Sequence, residues 1–126
     1  MHNPGCLKSV DLNCVFAGNQ HTVHVTAPAE LGDITSAKLW FTLRRGSVLV
    51  LRRRNTAAGG DDSQIQLILA GGSGVPGKFD VKFPTGLTAG LSGEYDYEIY
   101  IEIATNGYTI ARGHWPIEPS IIDLSP

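Results

Sequence analysis

The stretch Tyr95-Asp96-Tyr97-Glu98-Ile99-Tyr100-Ile101-Glu102-Ile103 decides how the chain folds. Tyr95, Tyr97, Ile99, Ile101 and Ile103 recur at every second position, with Asp96, Glu98, Tyr100 and Glu102 between them. Successive side chains of a strand point to opposite faces, so this period of two predicts a strand with one buried apolar face and one solvated acidic face.

The same rhythm spreads outward from there. Ala37, Leu39, Phe41 and Leu43 alternate with Lys38, Trp40, Thr42 and Arg44, and Phe79, Val81 and Phe83 alternate with Lys78, Asp80 and Lys82. Ile65, Leu67 and Leu69 share a face against Gln64 and Gln66, with Ile68 the exception; Leu12, Cys14 and Phe16 do so against Asp11, Asn13 and the less polar Val15. Thr22 to Thr26 is mostly β-branched, and Ala27-Pro28 stops it because proline cannot donate to a ladder. Arg45-Gly46-Ser47 closes a hairpin onto the run from Val48 to Arg53. Asn106-Gly107 is the strongest hairpin signal and leads into a last strand from Tyr108 to about Ile117. Pro84 to Leu91 is too short for a substantial helix and is expected to make one turn that plugs Leu87 and Leu91 into an end of the fold. Short strands separated by turns, without helical periodicity, predict an all-β fold: a single antiparallel Ig-like β-sandwich of about seven to eight strands. One domain is expected over 1–126, with a core at about 10–118, an N-terminal arm at 1–9 and a C-terminal tail at 119–126.

Composition agrees with a globular chain. The 126 residues suit one core, and 42% apolar with 17% charged residues argues against disorder. A formal charge of -2 exerts no global pull toward nucleic acid or an acidic membrane. No 18-residue apolar run suggests a membrane span. Met1-His2-Asn3-Pro4-Gly5-Cys6 lacks the basic and apolar regions of a secretory signal, so a soluble intracellular chain is expected. Cys6 and Cys14 are too few for a disulfide framework and lack a second pair for zinc; both are read as free thiols, Cys14 in the core.

The ionisable residues assemble no catalytic or metal-binding pattern. His21 and His24 are three apart, which on a strand places them on opposite faces, and His114 beside Trp115 reads as structural. Asp96, Glu98 and Glu102 lie along one strand face and, with Asp61-Asp62, lack the spacing to converge on calcium or to form an acid–base pair. Gly71-Gly72-Ser73-Gly74 lacks the lysine and following helix of a phosphate loop, and no nucleophile-elbow sequence occurs. An enzyme is therefore not expected, nor a cofactor or metal. The distinctive charged feature is Arg44, Arg45, Arg52, Arg53 and Arg54, which a hairpin is expected to bring to one end of a ribbon. Their mutual repulsion would be relieved by solvation, by an acidic protein surface, by Asp61-Asp62 or by nucleic acid, with a protein contact the leading expectation. Aromatic residues do not interleave with them, which argues against single-stranded nucleic acid. Ile121, Ile122 and Leu124 form an apolar tail suited to insertion into a neighbouring subunit. Trp40, Tyr100 and Trp115 offer stacking platforms for an alternative role as a carbohydrate-binding or host-adhesion module.

Several segments also resemble a known family when taken in order. Ala37-Lys38-Leu39-Trp40-Phe41-Thr42-Leu43-Arg44 resembles the first part of small phage virion domains akin to the N-terminal domain of baseplate upper proteins. Gly77-Lys78-Phe79-Asp80-Val81-Lys82-Phe83 and then Leu87 to Ile99 resemble that family's strand, short turn and tyrosine-bearing strand. Tyr108 to Pro119 is similar to its last strand and proline-flanked exit. The resemblance runs from about Ile34 to Pro119 and implies a structural role in a tailed-phage virion, in the tail, neck, baseplate or capsid. The implied partners are other virion proteins and copies of the chain itself; the implied location is the virion, after synthesis in the host cytoplasm. Longer members continue into fibre or receptor-binding regions, so this shorter chain is expected to be a stand-alone adaptor, connector or decoration subunit.

Overall fold

A computed structural model describes residues 15–55 and 64–119. Cys6, Leu12, Cys14, Asp61, Asp62, Ile121, Ile122 and Leu124 lie outside the described residues, as does the expected N-terminal arm. Eight strands form in the described part: β1 Val15–Phe16, β2 His21–Thr26, β3 Lys38–Arg45, β4 Val48–Arg54, β5 Ile65–Leu69, β6 Lys78–Phe83, β7 Gly93–Ile103 and β8 Asn106–Glu118. They make a five-stranded sheet in the order β1-β8-β7-β3-β4 and a three-stranded sheet in the order β2-β6-β5. With β2 taken as strand B, these are the B-E-D sheet and the G-F-C-C′ sheet of an Ig-like sandwich. Tyr95, at the start of β7, adds the corner expected of that fold: its hydroxyl accepts from the Ser92 amide at 2.9 Å and donates to the Ser92 carbonyl at 3.1 Å.

The alternating segments bury the faces their patterns predict. Leu39, Phe41 and Leu43 on β3, Phe79, Val81 and Phe83 on β6, and Tyr95, Tyr97, Ile99 and Ile101 on β7 are all buried. Between the sheets Trp115 meets Phe83 at 4.9 Å and Phe41 at 5.7 Å, both edge to face, while Phe41 stacks on Tyr97 at 5.7 Å. Such tilted and offset contacts suit the aromatic quadrupole. The Pro84–Leu91 turn closes one end: Leu87 and Leu91 pack on the core, and the buried Thr88 hydroxyl accepts the Gly18 amide at 2.8 Å.

Four expectations are corrected. β1 runs parallel to β8, pairing Val15 with Ile117 and Phe16 with Glu118, so the sandwich is not wholly antiparallel. This pairing turns Val15 toward the core and leaves Phe16 53% exposed, the reverse of the expected facing. On β5 the register shifts between Leu67 and Leu69, which carries Leu69 out of line with Ile65 and leaves it 44% exposed. The β7–β8 turn is formed by Ala104-Thr105 rather than Asn106-Gly107, because Ile103 already pairs with Asn106. That register sets Tyr95 opposite Trp115 and Gly93 opposite Ile117, keeping the large apolar side chains inside.

Gly107 has a different use. The Tyr100 hydroxyl lies where a Gly107 Cβ would stand, so the glycine makes room for that ring. Ala104 meanwhile holds a left-handed φ of 56°, a conformation that disfavours an L side chain. Ala104→Gly is expected to raise stability by about 1 kcal/mol. Chemical denaturation would show this as a higher midpoint at unchanged slope.

Candidate functional site on the outer face of the five-stranded sheet

Register fixes which side chains share the solvated face of this sheet. Thr42 on β3 pairs with Glu98 on β7 and with Arg52 on β4; Glu98 in turn pairs with Arg112 on β8. One cross-strand row is therefore Arg112, Glu98, Thr42, Arg52. The next row is Thr109, Tyr100, Trp40, Arg54, and toward the hairpin end lies His114, Asp96, Arg44, Leu49. Opposite residues on one face lie within about 5.5 Å at Cβ, so each row is a line of direct neighbours.

Acids and bases stand on separate strands. The outward acids Asp96, Glu98 and Glu102 stand on β7, while Lys38 and Arg44 stand on β3 and Arg52 and Arg54 on β4. Glu102 reaches Lys38 at 3.8 Å and Asp96 reaches His114 Nδ1 at 2.8 Å. Glu98, Arg44, Arg52, Arg54 and Arg112 form no ion pair among the described residues. A shallow concavity of about 360 Å³ opens over Thr42, Arg44, Asp96, Glu98, Arg112 and His114. Such an open, charge-lined hollow differs from the enclosed, mostly apolar cleft that binds small molecules.

The five arginines do not share one end of the ribbon. The turn is Gly46-Ser47, so Arg44 and Arg45 flank it, whereas Arg52, Arg53 and Arg54 pair with Thr42, Phe41 and Trp40 farther along the strands. Separation along the hairpin relieves the repulsion that the sequence implied. Two of the five make contacts that hold the fold. Arg45 lies 4.5 Å over the Tyr95 ring and donates to the Ser92 carbonyl. Arg53 donates from Nε to the Lys82 carbonyl at 3.0 Å, tying β4 to the opposite sheet. Arg44, Arg52 and Arg54 remain on the outer face.

The proposed aromatic platform also divides. Trp115 is 1% exposed and sits in the core, which removes it from any glycan surface. Trp40 and Tyr100 pair across β3 and β7 with centroids 5.5 Å apart, but at 53° they present no flat plane. The structure thus joins two features that the sequence kept apart, setting Trp40 and Tyr100 beside Arg52 and Arg54. Residue parity across the β3–β4 hairpin was the signal for this, once its register is known.

Histidine chemistry stays local. His24 Nδ1 meets Asp80 Oδ1 at 2.7 Å on the other sheet, and His21 lies edge-on to Trp115, so the two point away from each other as expected. Away from both faces, the Thr35 hydroxyl and then its amide donate to Asp33 and hold that carboxyl below its usual range. No group of three or more His, Cys, Asp or Glu among the described residues is placed to hold a metal ion. No helix among them is long and apolar enough to cross a membrane.

No protein-family model and no curated protein matches the chain. In structure it is similar to an extracellular fragment of novel immune-type receptor 11 from Ictalurus punctatus, at 12% identity and TM-score 0.49, covering 94% of this chain and 92% of that one. It is also similar to the RIG-5 IG1 homodimer, at 10% identity and TM-score 0.41, covering 90% and 93% respectively. Neither likeness bears on what this chain binds.

Proposed function

We propose that the chain is a non-enzymatic structural subunit of a bacteriophage virion, acting as an adaptor, connector or decoration unit through contacts with other virion proteins and with copies of itself. The observation that carries an interaction role is the contiguous patch of Trp40, Tyr100, Arg52 and Arg54 on the outer face. Tryptophan, tyrosine and arginine are the residue types that dominate protein interfaces, and here they stand on neighbouring strands of a rigid sheet. The assignment to a virion draws on the resemblance over Ile34 to Pro119. In this reading Ile121, Ile122 and Leu124 add an apolar contact by insertion into a neighbour.

Mass spectrometry of purified particles, followed by a reconstruction, tests the role. The chain is expected in stoichiometric amounts, and removal of the residues after Pro119 is expected to lower its incorporation strongly. Particles that lack the chain would sink the virion assignment.

A further inference from the structure

We infer that the outer face of the five-stranded sheet receives the same face of a second copy, with the two-fold axis lying in the interface along β3. This deepens the interaction role proposed above by naming the partner as the chain itself.

Strand order fixes the geometry of such a pairing. β7 and β4 flank β3, each about 4.8 Å away. Rotation by 180° about an axis along β3 lays β7 of one copy over β4 of the other without moving either along the strand. The registers then set the contacts. Thr42 pairs with both Glu98 and Arg52, and Trp40 pairs with both Tyr100 and Arg54. Glu98 therefore meets Arg52 of the second copy, and Tyr100 meets Arg54 of the second copy. An isologous interface makes each contact twice. Trp40 and Thr42 lie on the axis and meet their own copies.

Of the five charges left over within one copy, this rotation pairs Glu98 with Arg52 and sets Arg54 over Tyr100, while Arg44 and Arg112 gain no opposite charge from it. Glu102 and Asp96 have Lys38 and His114, while Glu98, Arg52 and Arg54 have no ionic partner among the described residues. Carboxylate and guanidinium are complementary forks, and an arginine also stacks on an aromatic face. An axis across the strands would instead lay the acids of β7 on the acids of the other β7, which like-charge repulsion opposes. Arg44 and Lys38 would meet their own copies near the two ends of β3, where the twist of each sheet carries the faces apart. Contact is therefore centred on the aromatic pair and the unpaired ions.

Sedimentation equilibrium of the full chain tests this with a charge swap. The wild-type protein is expected to dimerise, more weakly at high salt because salt screens the attraction between Glu98 and Arg52 of the second copy. Either Arg52→Glu or Glu98→Arg alone is expected to weaken the dimer by about tenfold or more, since each sets like charges opposite one another twice. The double variant Arg52→Glu/Glu98→Arg restores opposite charges and is expected to return to within roughly threefold of wild type. Circular dichroism, and an unfolding midpoint unchanged at a concentration low enough for the wild type to be monomeric, establish that these substitutions on the outer face leave the fold intact. A wild-type chain that stays monomeric at about 1 mM overturns the inference. So does a dimer indifferent to both single reversals, or a double variant no better than the singles. A monomeric chain that is still present in particles leaves the interaction role standing and assigns the face to a different partner.

Discussion

Truncating Trp115 to alanine is expected to cost about 3–5 kcal/mol of folding free energy. The ring is 1% exposed on β8 and touches Phe41 from β3 and Phe83 from β6, so it spans both sheets. Phe41 and Phe83 also meet each other at 5.2 Å, which makes the three rings one mutually packed unit. Removing the indole loses its buried apolar area and strips an edge-to-face partner from both phenylalanines, a further ~0.5–1.5 kcal/mol per pair at the upper end. Domains of this kind are stable by only about 5–15 kcal/mol, so a large fraction of the molecules would unfold under mild denaturant. Urea unfolding followed by circular dichroism is expected to show a much lower midpoint at similar slope. A loss below about 1 kcal/mol would show that the neighbouring rings close the gap and that Trp115 does not hold the sheets together.

Gly71→Ala is expected to cost about 3 kcal/mol, for a reason that lies in the backbone. Gly71 has a φ of +80°, and a Cβ there would stand 2.7 Å from the Gly77 nitrogen and 2.9 Å from the carbonyl oxygens of Gly32 and Val75. All three are main-chain atoms, so no side chain can swing aside. These segments also close the end of the sandwich: the Ile34 amide donates to the Ala70 carbonyl at 2.8 Å and the Ala27 amide to the Gly77 carbonyl at 2.9 Å. Gly72 supplies the control, since a Cβ there meets nothing within 4 Å. Gly72→Ala is expected to stay within about 0.5 kcal/mol of wild type. Thermal unfolding would separate the two by roughly 10 °C, and equal melting temperatures would refute the steric account.

The parts of the fold that were legible in sequence are those where two faces of one strand meet different surroundings. β3, β6 and β7 announce themselves because a sandwich needs alternate residues inside. Pairing between distant segments was not legible. The parallel direction of β1 depends on β8, about 100 residues later, and no local pattern encodes it. Asn106-Gly107 misled for a related reason: its turn preference is local, whereas the register is set by packing around Trp115 and by the Tyr100 ring over Gly107. The candidate surface was half visible. Arg44, Arg52, Arg54, Trp40 and Tyr100 were each singled out, but their common face emerges only from the hairpin register, which also diverts Arg45 and Arg53 to structural duty.

The parallel β1–β8 pair has a mechanical consequence. Val15 lies beside Ile117 and both strands run the same way, so force applied backward at Val15 and forward at Glu118 acts along the ladder. The Ala17 amide bound to the Glu118 carbonyl at 2.7 Å would carry load together with its neighbours rather than after them. A tether drawn through those two points would be gripped in shear, and would yield in one abrupt slip instead of unzipping bond by bond.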